Sequence, residues 1–165
     1  MRKLLMILSA FLACCSTDAS AIGTSVKLGG ETAEFRLIRN ETAGAAVEVW
    51  RDGKLTQTFE NLGESFLPID LAGKKMPLVT LDTRKEGFEK VVVRTAQPPY
   101  IGSLWVFEWD KKEKKFAHVL DERGDRSLPV PLSTVVRLEN NGELRYQLPA
   151  SQKVKTLRWN GRGFK

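Results

Sequence analysis

Hydrophobic and polar residues alternate with a period of two along much of this chain, and no window after Ala21 holds a sustained helical period. Phe35, Leu37 and Arg39 alternate with Glu34, Arg36 and Ile38, and Val47 and Val49 alternate with Glu48 and Trp50. Turn-forming residues separate such runs at intervals of about ten residues, the spacing of an all-β fold. One unit is written three times: a strand ending in tryptophan, a polar turn, and a return to phenylalanine. The copies are residues 47–53 running on to Phe59, 104–110 running on to Phe116, and 157–161 running on to Phe164. The pattern predicts antiparallel hairpins forming a propeller-like or sandwich-like single domain.

Each turn implies a register. Asp52-Gly53 as a two-residue type I′ loop sets Trp50 opposite Leu55 and Ala46 opposite Phe59, with Val47 and Val49 opposite Thr58 and Thr56. Both faces of that pair are then partly apolar, which predicts cover on both sides. Asn160-Gly161 as a two-residue loop sets Leu157 opposite Phe164, on the face of Trp159. Asn140-Asn141-Gly142 matches its faces only as a three-residue loop with Gly142 left-handed. Leu138 then pairs with Leu144 and Val136 with Tyr146, and Glu139 meets Glu143 at an exposed end. Residues 111–114 make a four-residue loop that sets Trp109 against Phe116, Phe107 against His118 and Trp105 against Leu120. Gln97-Pro98-Pro99-Tyr100 and Leu128-Pro129-Val130-Pro131 read as loops or edge segments, because proline cannot donate to a ladder. On these registers the aromatics of the repeated unit fall on consistent apolar faces and build the core.

Residues 1–21 read as a leader. Arg2-Lys3 is a basic n-region, and residues 4–12 form an apolar run well short of the ~20 residues that span a bilayer. Ala19-Ser20-Ala21 supplies a signal-peptidase site, so the mature chain begins at Ile22. A second reading stands beside this one: Phe11-Leu12-Ala13-Cys14 resembles a lipobox, with a lipid anchor on Cys14. The first reading implies a periplasmic or secreted protein, the second a membrane-anchored lipoprotein. Both cysteines, Cys14 and Cys15, lie in the leader, so no disulfide framework staples the domain. Residues 22–165 have the size of one domain able to bury a core without such staples. The 165 residues carry 26 Lys and Arg against 20 Asp and Glu, a formal charge of +6 that becomes +5 once Arg2, Lys3 and Asp18 leave. A positive surface favours anionic partners such as cell-wall polymers, lipid headgroups or acidic protein surfaces. An exported chain with no basic helix and no binding motif does not point to nucleic acid.

His118 is the only histidine, and the mature chain has no cysteine. That excludes His-based nucleophilic catalysis and conventional zinc chemistry. Asp82, Glu86, Glu89, Asp121, Glu122 and Asp125 are scattered acids, and no spacing picks out a glycosidase pair. The chain reads as a binding protein, not an enzyme, with no catalytic residue. Residues 82–93 have the outline of a calcium loop: Asp82, Glu86 and Gly87 stand at positions one, five and six, and a hydrophobic strand follows. Arg84 and Lys90 occupy positions three and nine, where oxygens are needed. They argue that the loop is empty, with its acids paired to cations, and no cofactor is expected. Lys111, Lys112, Lys114 and Lys115 form a basic cluster relieved only by Glu113. Such a turn discourages edge-to-edge aggregation, and it also suits an acidic cleft or an anionic polymer.

Four pieces occur in one order over most of the mature chain: 47–59 with Asp52-Gly53 and Gln57, 82–93, 102–116, and Arg158-Trp159-Asn160-Gly161-Arg162-Gly163-Phe164. Together they resemble a family of small exported bacterial proteins related to FG-GAP (VCBS) propeller repeats. Its best-known members are periplasmic immunity proteins that inhibit peptidoglycan-hydrolase toxins delivered by bacterium-killing secretion systems. The resemblance implies a propeller-like sheet stack, action by binding, and a secreted or injected cell-wall hydrolase as partner. The calcium loop is where this chain departs from the family. Function then belongs to the loops, with Tyr100, Lys111, Lys112, Arg123 and Arg126 as candidate contacts and the basic loop facing carboxylates of the hydrolase cleft. The alternatives are an envelope polysaccharide-binding module using exposed aromatics, or a structural accessory of the cell envelope. Burial of Trp105, Trp109 and Trp159 would remove the main support for sugar binding.

Overall fold

Two stretches decide the architecture, because each is apolar without a break: Val91-Val92-Val93, and Leu104-Trp105-Val106-Phe107. Strand side chains alternate between faces, so an unbroken apolar run must be buried on both. The computed structural model describes residues 22–40, 44–82, 87, 89–97, 99, 101–119, 124–148, 151 and 153–165. These form strands and no helix. The two runs lie in the long strands β9 (Lys90–Gln97) and β10 (Ile101–Asp110), which pair antiparallel at the centre of the middle of three sheets.

Each central strand is flanked by two short ones in succession. Along β9 run β8 (Leu78–Leu81) and then β5 (Ser65–Phe66). Along β10 run β11 (Lys115–His118) and then β12 (Ser127–Pro131). The first sheet is a meander of β1 (Ile22–Leu28), β2 (Glu31–Asn40), β3 (Gly44–Arg51) and β4 (Lys54–Phe59). The third sheet has β6 (Ile69–Leu71), β7 (Lys74–Met76), β13 (Val136–Leu138), β14 (Glu143–Gln147) and β15 (Val154–Arg158). They lie in the order β15-β14-β13-β6-β7, with β13 parallel to β6.

The middle sheet is packed on both sides, giving an all-β, sandwich-like stack. Val91, Val93, Trp105, Phe107 and Phe116 meet Phe35, Leu37, Val47 and Val49 of the first sheet. Val92, Leu104 and Val106 meet Ile69, Val136, Leu138, Leu144 and Tyr146 of the third. A fully buried Val, Leu or Phe side chain contributes about 1.5–3 kcal/mol. A strand pair loaded on two faces therefore holds more burial energy per residue than either outer sheet.

Polar seams tie the layers. At one edge of the first sheet, Gly29 N donates to Gly87 O (2.9 Å) and Glu89 N to Lys27 O (3.1 Å). At the other edge the Gln57 amide stands in for a strand: its Nε2 donates to Phe116 O (2.9 Å), and Phe116 N donates to its Oε1 (2.7 Å). Between them Gly63 O accepts from Ala45 N (2.7 Å), while Glu64 N donates to Ala96 O (2.8 Å). Gly63 has φ 147°, and a Cβ there would stand 2.5 Å from Ala96 O. On the third-sheet side, buried Arg94 donates through Nη1 to Pro68 O (3.1 Å). Its Nη2 reaches the carbonyls of Pro131 (3.1 Å), Leu132 (3.1 Å) and Thr134 (2.9 Å).

The hairpin registers divide. The 140–142 loop pairs Leu138 with Leu144 and Val136 with Tyr146, with Gly142 left-handed, as the pattern predicts. The 111–114 loop likewise sets Trp109 opposite Phe116 and Phe107 opposite His118. Trp105, however, faces Ser127, because β11 ends at His118 and β12 takes over the edge. Trp50 does face Leu55, but a bulge beyond this pair puts Phe59 opposite Val47 in place of Ala46. Thr56 supports the bulge by donating its hydroxyl to Val49 O (2.9 Å). At the C-terminus Trp159, not Leu157, faces Phe164. Asn160 Oδ1 accepts from Arg162 N (2.9 Å) and Gly163 N (3.1 Å), which opens the turn to four residues. Burial on both sides belongs to β9–β10, whereas Val47 and Val49 face the core only from one side of the first sheet. The segment 128–131 is an edge strand, as its prolines require. The leader lies outside the described residues.

Two substitutions test the seams by chemical denaturation. Gly63→Ala is expected to lose at least about 2 kcal/mol, from backbone strain and the clash with Ala96 O. Arg94→Met is expected to lose a similar amount or more, since each buried carbonyl left without a donor costs ~1–3 kcal/mol. A change within about 0.5 kcal/mol, the range of an inert surface site, contradicts the assigned role.

Candidate functional site

The lysine loop is built from Asp110 outward. Asp110 ends β10, and its Oδ1 accepts from Lys112 N (2.9 Å) and Glu113 N (3.1 Å). The backbone donors of Glu113 and Lys112 hold its carboxyl below the ordinary aspartate range. Lys114 is left-handed (φ 50°) and returns the chain to Lys115, which pairs with Asp110. A loop with two amides tied to one carboxylate has little freedom left to lose on binding. Lys111, Lys112, Lys114 and Lys115 are exposed on it, with Lys115 Nζ 3.9 Å from Glu113. Behind the tip, Trp109 packs edge-on against Phe116 (5.2 Å), and the Arg51 guanidinium lies 4.9 Å over the Trp109 ring. Arg51, which also pairs with Glu31, adds a cation that sequence reasoning did not place here.

The other predicted contacts do not join this tip. Tyr100, Arg123 and Glu86 lie outside the described residues. Arg126 is exposed and directly precedes Ser127, which pairs with Trp105 near the middle of β10. Five residues of strand, roughly 17 Å, separate that level from Asp110. Arg126 lies instead near His118. The His118 ring packs against Phe107 (4.9 Å), Phe59 (5.0 Å) and Trp105 (5.6 Å), and its buried Nδ1 has no hydrogen-bond partner among the described residues. Desolvation first, then the charge of Arg126, pushes its pKa below the usual histidine value. It is a half-buried residue held in an aromatic cage.

The tryptophans are not open platforms. Trp105 is buried and donates Nε1–H to Thr95 Oγ1 (2.9 Å). The other three are half-buried, and each has a cation over its ring: Arg36 over Trp50 (4.2 Å), Arg51 over Trp109 (4.9 Å) and Lys90 over Trp159 (5.2 Å). Trp50 departs from the expected apolar face. It points outward and donates to Glu48 Oε2 (2.8 Å), while Arg36 forms two 2.9 Å bonds with Glu34.

At the suspected calcium loop, Asp82 Oδ2 accepts from Gly87 N (3.0 Å). Glu89 Oε2 accepts from Lys27 N (2.7 Å), docking its segment on β1. Among the described residues no group of three or more His, Cys, Asp or Glu side chains is arranged to hold a metal ion.

Glu143, expected at an exposed end, is buried and takes both Arg145 and Arg158. With Arg137 these arginines share the outer face of the third sheet, a cluster that sequence reasoning missed. Its signal was the alternation Val136-Arg137-Leu138, Leu144-Arg145-Tyr146 and Leu157-Arg158, which assigns all three arginines to the side opposite the core.

The depressed pKa of His118 gives a pH prediction. Its folded value lies below the unfolded one, so its contribution is complete above ~6.5 and falls away as pH drops through that value toward the folded pKa. His118→Phe is expected to flatten this part of the stability curve between pH 7 and 5, and parallel curves for the two proteins would refute the assignment. Comparison with known protein families, with curated proteins and with solved structures finds no match to this chain, so the site must be read from its own geometry.

Proposed function

We propose that this chain is an exported binding protein that inhibits a peptidoglycan hydrolase by seating the 111–114 loop in the enzyme's acidic cleft. The observation that carries the reading is the loop's construction. A run of exposed lysines projects from the end of β10 on a turn whose Lys112 and Glu113 amides are fixed by Asp110. A cell-wall hydrolase that works through carboxylates presents the complementary charge, and electrostatic fit of this kind speeds encounter and fixes register. The scaffold beneath is stiff, because β10 is buried on both faces over Leu104–Phe107. The resemblance to exported FG-GAP-like immunity proteins supports the same partner class. The covered faces of Trp50, Trp109 and Trp159 weigh against the polysaccharide alternative, since a sugar ring stacks on an open aromatic face.

The test is an inhibition assay with residues 22–165 against the cell-wall hydrolase encoded beside the gene. Inhibition is expected to weaken as salt rises. Reversing Lys111 and Lys112 to Glu is expected to weaken it at least about tenfold, or ~1.4 kcal/mol, with an unchanged melting temperature. Asp110→Ala, which frees the loop amides but keeps every lysine, should give a smaller loss. No inhibition of any neighbouring hydrolase would sink the proposal, and inhibition indifferent to the double reversal would remove the loop from the contact.

A further inference from the structure

The outer face of the third sheet carries charge in an unusual arrangement. Arg137 on β13 stands directly opposite Arg145 on β14, and Arg158 on β15 lies one strand further over, opposite Glu143. Like charges placed directly across a strand pair destabilise it, so the pair needs compensation. Largely covered carboxylates beside them on the same face supply it. Glu143 Oε1 takes Arg145 and its Oε2 takes Arg158 (3.3 Å), while Asp70 lies 3.7 Å from Arg137. The side chains of Glu143 and Asp70 are only 8 % and 16 % exposed, whereas those of Arg145, Arg158 and Arg137 are 50 %, 80 % and 66 % exposed. The acids are therefore spent holding the arginines upright, and the face shown to solvent is guanidinium. Strand spacing and stagger put the three along a diagonal of roughly 12 Å.

Beside Arg137 and Arg145 the surface dips into an open depression of about 600 Å³. That volume lies in the range of ligand sites, ~300–1,000 Å³. Val135 and Val154, two of the few large apolar side chains exposed among the described residues, line it. Its Thr134 wall is braced twice: Thr134 O accepts from buried Arg94, and Thr134 Oγ1 accepts from Gln147 N (3.1 Å). Glu139 is the one acid of the lining.

We propose that this face is a second binding surface, taking an extended acidic peptide segment of a partner protein. Arginine forks held by neighbouring carboxylates match an incoming carboxylate in bidentate geometry. In an extended segment every second side chain points the same way, about 6.8 Å apart. One carboxylate can therefore sit between Arg137 and Arg145 while an apolar side chain two residues along covers Val135 and Val154. A phosphate polymer or lipid headgroup would use the guanidiniums but leave the valines wet. The surface lies on a different sheet from the 111–114 loop, and its test involves no hydrolase, so the two proposals fail separately.

The experiment titrates the ¹⁵N-labelled protein, residues 22–165, with the capped pentapeptide Ser-Glu-Ser-Val-Ser, whose glutamate and valine share one face when extended. The peptide's glutamine analogue, free glutarate and inorganic phosphate are the comparison ligands. Saturable amide shifts are expected at Thr134, Val135, Arg145, Gln147 and Val154. The glutamine analogue should not bind, and glutarate and phosphate should bind at least about tenfold more weakly. Arg137→Ala should weaken peptide binding about fivefold or more with the folded amide spectrum retained, and Arg137→Lys should not restore it. Four results would overturn the proposal: no saturable shift, shifts gathered at residues 111–115, affinity indifferent to Arg137→Ala, or glutarate or phosphate binding as tightly as the peptide.

Discussion

Burial of β9–β10 on both faces is the constraint from which the rest of the molecule follows. A strand pair that is apolar on two sides requires a sheet against each, and the first and third sheets supply them. The same requirement carries two cations indoors, because Lys90 and Arg94 share a face with Val92. Neither could remain without partners at that depth. Lys90 reaches Glu108 (3.2 Å) and the Trp159 ring, which fixes the C-terminal hairpin over the edge of the sheet. Arg94 has no carboxylate in the described ion pairs and is held by four main-chain carbonyls. Those carbonyls come from the β5–β6 link and the β12–β13 turn, so one side chain orients both connections into the third sheet.

With the core committed to the middle, the outer faces are free to carry charge, and they do so differently. On the first sheet Arg36 and Glu34 are paired side by side at similar exposure, and Trp50 and Glu48 complete a patch whose charges answer one another at the surface. On the third sheet the carboxylates are largely covered and the guanidiniums exposed. The first arrangement neutralises itself, whereas the second projects a positive field. Together with the lysine loop at the tip of β10, it makes two cationic features on separate rigid supports. That separation explains why Arg126, near the middle of β10, belongs to neither.

The sequence showed the class of fold and part of its register. The loops at 111–114 and 140–142 were readable because only one loop length matched apolar residue to apolar residue across the turn. The other two hairpins were misread because a side chain intervened: Thr56 bonds to Val49 O and stabilises a bulge, and Asn160 caps two amides of its own turn. The mixed faces of the Val47 strand suggest a two-sided burial that belongs to β9–β10. The stronger signal was the unbroken apolar runs of β9 and β10. The parallel pairing of β6 with β13 joins residues far apart in the chain, and no local pattern announces it. For the candidate sites, the lysine loop stood out as a run of like charges. The arginine face was dispersed over three short strands, and only their adjacency turns three separate arginines into one surface.

Amide hydrogen exchange on the native protein tests the central claim most directly. If β9–β10 is the doubly buried spine, the amides of Val91, Val92, Val93, Trp105, Val106 and Phe107 exchange last, only through global unfolding. Those of Val47 and Val49 in the first sheet, and of Leu144 and Tyr146 in the third, then exchange sooner through partial opening. Amides in either outer sheet that outlast the central pair would contradict the account.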